Sequence, residues 1–153
     1  MSGNSWSLTF KVLGLVLLVG FATISPAAAV SSARYEKQVN VETNRERTSR
    51  DLSKLRTKKC VDRYAERQAR RMAKNRSLEH QALGPILKKC TLSRVAENIA
   101  LGYPTADDVV DAWMHSPGHR RNILTKKMRY IGVGAVRDSD GHWWVSQVFG
   151  ARK

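Results

Sequence analysis

From Ile131 onward this sequence leaves helical spacing and begins to alternate, and that change of period constrains the fold more than any other feature. Ile131, Val133 and Ala135 take turns with Gly132, Gly134 and Val136, the period of two of a strand with one face against a core. "DSDG" at 138–141 supplies a turn and "HWWVSQVF" at 142–149 returns, so the chain is expected to close on an antiparallel hairpin. Trp143 and Trp144 then point to opposite faces of the sheet. "GVGAV" lacks the third glycine of a dinucleotide fingerprint and leads into a hairpin, so strand packing explains it. "DSDG" has no downstream glutamate at the offset a calcium loop requires, which leaves a hairpin turn.

Everything upstream reads as helix. A first helix is expected over residues 39–47, after a flexible charged segment at 30–37. Val61, Ala65, Ala69 and Met72 recur at helical spacing and define a second helix over 58–75. Its other face carries Arg63, Arg67, Arg70, Arg71 and Lys74. Gly84-Pro85 interrupts any continuation. In "TADDVVDAWM", Thr105 is the N-cap and Asp107 and Asp108 lie in the positive first turn. Helices first and a hairpin last give an α+β fold or a layered α/β sandwich.

"WMHSPGHRRNIL" at 113–124 places two histidines four apart, the spacing at which one helix holds zinc. Pro117 lacks an amide donor and disfavours helical torsions at Ser116, and Gly118 loosens the turn further. One helix should therefore end near His115, with Ser116 as N-cap and Pro117 at the first position of the next. No glutamate follows the first histidine to act as a metallopeptidase base. His119 must find partners elsewhere, and only His80, His115 and His142 complete the set of 4 histidines. Glu97 lies in the mostly apolar "AENIALG", where a carboxylate needs a histidine, a metal or backbone amides. A His80–Glu97–His119 cluster is one candidate; separate hydrogen-bonding histidines are the other.

Residues 12–22 are an apolar run behind a lone Lys11, followed by small residues at Ala27 and Ala29. That is the pattern of a signal peptide over 1–29, with a retained membrane anchor as the alternative. The exported remainder fits one domain. In an oxidising compartment Cys60 and Cys90 are expected to pair, closing a loop worth roughly 3–4 kcal/mol in the chain-entropy model; two buried thiols are the alternative. Neither has a Cys or His neighbour at zinc-knuckle spacing.

The chain carries 27 Lys and Arg against 13 Asp and Glu, a net charge of +14. Of the basic residues, thirteen lie between Arg45 and Arg76, among four acids. Such a surface adheres to polyanions: anionic lipid, acidic envelope polymers or nucleic acid. Export makes nucleic acid no partner in the working compartment, and no RNA- or DNA-recognition motif is visible. A basic helix that only keeps the protein soluble is the competing reading.

"NRER" (44–47), "AERQARRMAKNRSLEH" (65–80), "ENIALG" (97–102), "VVDAWMHSPGHRRNIL" (109–124), "IGVG" (131–134) and "WWVSQVFG" (143–150) follow one another in a set order. That order resembles the CAP superfamily of cysteine-rich secretory, antigen 5 and pathogenesis-related 1 proteins, in its short bacterial single-domain form. The resemblance covers nearly all of 38–150 and assigns 38–153 to one such domain. It implies a three-layer α-β-α sandwich with the hairpin at its C-terminal end, secretion with possible wall association, and a shallow cleft. In that family two histidines and two acids line the cleft, and some members bind a divalent metal. By motif His80, Glu97 and His119 match three of the four. Ser116 stands where the second acid belongs, which puts zinc binding by His80 and His119 in doubt. The family's links to lipid or sterol binding imply a non-enzymatic extracellular module for a small apolar ligand or an envelope or host partner. The alternative is a metal-dependent extracellular hydrolase using His80, His119 and Glu97. Oligomeric state is not legible.

Overall fold

A computed structural model describes residues 30–153. The expected signal segment, 1–29, lies outside them. In chain order the elements are α1 (Ser32–Thr48), β1 (Arg56–Thr57), α2 (Lys59–Asn75), α3 (Leu83–Lys89), β2 (Leu92–Leu101), α4 (Ala106–His115), α5 (Pro117–Leu124), β3 (Met128–Arg137) and β4 (Trp143–Arg152). The sheet order is β1-β3-β4-β2. β1 runs parallel to β3, and the β3–β4 and β4–β2 pairs are antiparallel. The expected hairpin is therefore β3–β4, turned at Asp138–Gly141 with Gly141 at φ 87°. No described helix is long and apolar enough to cross a membrane.

Alternation divides the sheet into two faces. Val133, Trp143, Val145 and Phe149 pack with Tyr35, Val39, Val109 and Trp113 of α1 and α4. Val148 packs with Val61, Ala65 and Ile86 of α2 and α3, and Trp144 with Met72 and Ile99. The three-layer sandwich holds, and the two tryptophans do face opposite layers. Cys60 and Cys90 are bonded, with Cα atoms 5.7 Å apart, tying the start of α2 to the end of α3.

Two expectations need correction. The first helix starts well before residue 39, and residues 32–37, expected to be flexible, form its opening turns. Ser31 caps α1 by accepting the Arg34 N–H, and Tyr35 is buried. The Tyr35 ring stacks on Trp143 with centroids 4.6 Å apart, and its hydroxyl faces the carbonyls of Tyr103 and Thr105. The buried stripe of α1 is Tyr35, Val39, Thr43 and Arg47, so half of it is polar and hydrophobic periodicity undercounts it. Gly84-Pro85 interrupts no helix: α2 has already ended at Asn75 on a left-handed Arg76, and both residues serve in the first turn of α3. The apolar run around Glu97, to which the sequence assigns no element, is a strand, β2, on the edge of the sheet beside β4.

Two devices position the layers. Gly132 and Gly134 let α2 lie directly on β3: a Cβ at either would fall 2.4 Å from the backbone of Asp62 or Glu66. Beyond the short β1, the open edge of β3 is closed by side chains. Val133 N–H donates to Asp62 Oδ1 (3.1 Å) and Ala135 N–H to Glu36 Oε1 (2.9 Å). Burial raises both carboxyl pKa values, and these same hydrogen bonds partly oppose the rise. Arg47 is the second device. Fully buried, it donates to the carbonyls of Ser53 (3.0 Å), Ile123 (2.6 Å), Thr125 (3.2 Å) and Met128 (3.5 Å).

Gly134→Ala is expected to cost at least about 1–3 kcal/mol by forcing α2 off the sheet. Gly118→Ala, with nothing within 4 Å, should cost nothing measurable; urea denaturation compares them. Arg47→Leu strands several buried carbonyls and should lose about 3 kcal/mol or more, read the same way.

Candidate functional site

The site forms at the outer edge of β2, where the two helical layers meet. An edge strand leaves one row of carbonyls unpaired, and here side chains take them. Trp113 Nε1 donates to Ile99 O (3.2 Å) and Asn122 Nδ2 to Glu97 O (3.1 Å). A buried relay holds α5 in this place. Gln147 Nε2 donates to Thr43 Oγ1 (2.7 Å). Asn98 Nδ2 reaches Gln147 Oε1 (3.0 Å) and His119 O (3.3 Å). Asn122 Nδ2 also reaches Asn98 Oδ1 (2.9 Å). Every amide side chain of this relay has a partner, as burial demands.

α4 opens on the expected N-cap Thr105, and Asp108 returns the bond to complete a capping box. It ends at His115, and Pro117 begins α5. The expected break inside "HSPGH" is therefore real. Ser116 occupies the N-cap position, but its hydroxyl makes no capping bond; it lines the cleft instead. His115 is exposed, with Nδ1 2.9 Å from Asp111 O on its own helix, and takes no part in the site.

His80 and Glu97 do meet. Glu97 points to the α2 side of β2 with its side chain 1% exposed. Its Oε2 accepts from His80 Nδ1 (2.9 Å) and the Gln81 N–H (3.2 Å). Its Oε1 accepts from Gln81 Nε2 (2.6 Å) and Ser146 Oγ (2.9 Å). Four donors satisfy both oxygens, as burial of a polar group demands. Holding Nδ1–H of His80 turns its Nε2 outward. His119 lies nearby: burial lowers its pKa, and the charge of His80 lowers it further.

Sequence reasoning missed Gln81 and Ser146. Ser146 had a signal, because it falls between Trp144 and Val148 on the inward face of a strand, where a polar residue needs a partner. Gln81 had none beyond its place beside His80.

The donor set does not fit a hydrolytic zinc centre. Such centres take three protein ligands and leave one position for water. Glu97 has both oxygens committed and its side chain buried, so only two imidazole nitrogens remain. Ser116 offers no carboxylate. Among the described residues, the set of three or more potential ligands gathered within 4.8 Å is Asp138, Asp140 and His142 at the hairpin turn. Those acids are engaged too. Asp138 accepts from Trp144 Nε1 and the His142 N–H, which hold its carboxyl below the usual range. Asp140 pairs with Arg76 at 2.6 Å.

Beside His119 is a cavity of about 310 Å³. Leu78 walls it from the loop after α2, Ile99 and Leu101 from β2, and Ala112 and Trp113 from α4, with Tyr103, Ser116 and His119 as the lining residues that carry polar groups.

Residues 42–149 match the family described as "CAP: Cysteine-rich secretory protein family". Over 135 residues the chain is 35% identical to YkwD of Bacillus subtilis, covering 84% of this chain and 51% of that protein. The chain thus spans about half the length of that curated relative. Among solved structures, it resembles an outer surface protein of Borrelia burgdorferi. The TM-score is 0.72 and identity 23%, over 81% of this chain and 97% of that one. An SCP-domain extracellular protein of Bacillus anthracis gives a TM-score of 0.69 at 25% identity, over 80% and 41% of the two chains.

The His119 imidazole should titrate below its ordinary 6.5 in an NMR pH series. Replacing His80 by Gln removes one charge but not the burial, so the midpoint should rise and still stay below 6.5.

Proposed function

The chain belongs to the cysteine-rich secretory protein (CAP) family, and from that premise we propose that it is an extracellular binding module for a small apolar ligand. The supporting observation is the cavity beside His119. At about 310 Å³ it sits at the low end of the range for small-molecule pockets, and its wall is apolar with few polar groups, the usual composition of such sites. That volume suits one acyl chain or one small ring system. Ser116 and His119 would orient a polar head at the mouth, and neutral His119 adds no charge to be desolvated there.

The Glu97 cluster supports binding over turnover. A general base needs a free lone pair within reach of the reacting proton, and both oxygens of Glu97 are taken. Its effect is to stiffen: it joins β2, β4 and the loop carrying His80 and Gln81, keeping the cleft preformed and lowering the ordering cost on binding.

Titration with decanoate, followed by tryptophan fluorescence, tests the reading, since Trp113 forms part of the wall. Ala112→Phe fills the cavity and is expected to weaken binding tenfold or more, about 1.4 kcal/mol, with unfolding unchanged. Equal affinity in the wild type and in Ala112→Phe, at unchanged stability, would discard the cavity as the ligand site.

A further inference from the structure

The basic face of α2 borders a second cavity, which shares no lining residue with the apolar one. α2 and the loop that follows it enclose a groove of about 650 Å³. Arg67, Arg70, Arg71 and Lys74 of α2 line it together with Tyr64, and Gln81 and Pro85 line it from beyond the helix. No acidic side chain lines it.

Charge pairing divides the cations of this groove into one that is paired and three that are not. Arg70 has a carboxylate four residues back, Glu66 at 3.2 Å. Among the described residues, Arg67, Arg71 and Lys74 form no ion pair. Arg67 lies over the Tyr64 ring at 4.2 Å, and Arg71 reaches only the His80 carbonyl at 3.4 Å. All three side chains are exposed. Like charges four apart on a helix are mildly destabilising, by about 0.2–0.5 kcal/mol per pair. A surface serving solubility alone would intersperse both signs. Here three cations are aligned in one helical row and left without counterions inside a concave wall.

The row also has a repeat. Positions i, i+4 and i+7 on a helix face are about 5–6 Å apart, and two of the three cations are guanidinium forks suited to phosphate oxygens. A linear chain with one phosphate per monomer can place successive charges along that row. A flat bilayer meets a concave groove poorly. We propose that this groove binds a linear phosphodiester polymer, such as a glycerol-phosphate chain, outside the cell. Tyr64, with Arg67 stacked on it, closes the groove at one end and fixes the direction in which the chain leaves.

The test uses a short poly(glycerol phosphate) oligomer, with inorganic phosphate and phosphatidylglycerol vesicles as the other two arms, each at two salt concentrations. The groove variant is Arg67→Gln/Arg71→Gln/Lys74→Gln; glutamine is a good helix former, and thermal unfolding reads the fold separately. The control, Lys37→Gln/Lys126→Gln/Lys127→Gln, has the same net charge. The groove variant should bind the oligomer at least tenfold more weakly, while the control stays within about twofold. Its dependence of log K on log salt should flatten by about 2, from three lost contacts at roughly 0.7 each. Equal losses in both variants would reduce the effect to net charge and overturn the proposal. Inorganic phosphate displacing the oligomer at equal phosphate concentration would make the groove a single-ion site, and vesicles outcompeting the oligomer would make it a membrane surface; either result overturns it. Decanoate binding is measured on the same variants, so failure of the apolar cavity and failure of the groove remain separate results.

Discussion

The arrangement of this domain depends on one buried guanidinium. Arg47 carries its charge into the core and meets only backbone carbonyls, from the loop after α1 and from the α5–β3 connection. Burial depresses its pKa, with Arg129 adding repulsion, yet an arginine stays protonated in such surroundings. Its several fixed donors let it bind carbonyls that no strand or helix pairs. In doing so it joins the C-terminal end of α1 to the end of α5, and α5 is the helix that carries His119. A lysine, with a single ammonium, would not span the same fork.

The remaining architecture is a solution to two open sheet edges. On one side, Asp62 and Glu36 accept strand amides that β1 is too short to pair. On the other, Trp113 and Asn122 donate to carbonyls of β2. The first arrangement is structural only, and it costs two carboxyls with raised pKa values. The second creates the cleft, because covering an edge with α4 and α5 leaves a gap beside the strand that apolar residues and His119 line. Structure and candidate function therefore share one origin, the need to satisfy an unpaired strand edge.

The carboxylate at Glu97 shows how far residue chemistry can be read without coordinates. A charged residue in "AENIALG" requires a partner, and His80 is one. The fold adds Gln81 and Ser146, which complete the shell of donors around both carboxylate oxygens. The same residue type in the same motif would support a metal centre if those two donors were absent. The expectation of a flexible 30–37 segment failed for a related reason. The buried face of α1 uses Thr43 and Arg47, whose burial is satisfied by hydrogen bonds from distant parts of the chain, and no local pattern shows such partners.

By itself the sequence determined the elements whose causes are local. Pro117 and Gly118 had to separate α4 from α5, the period of two around Ile131 had to make a hairpin, Thr105 had to cap α4, and the two tryptophans had to face opposite layers. Each follows from backbone torsion or side-chain alternation within a few residues. Only the tertiary structure decided that His115 stays out of the site, that Ser116 turns to the cleft instead of capping, and that three cations of α2 face a groove without counterions. Those outcomes depend on which distant groups arrive within hydrogen-bonding distance, a property of packed layers and not of neighbouring residues.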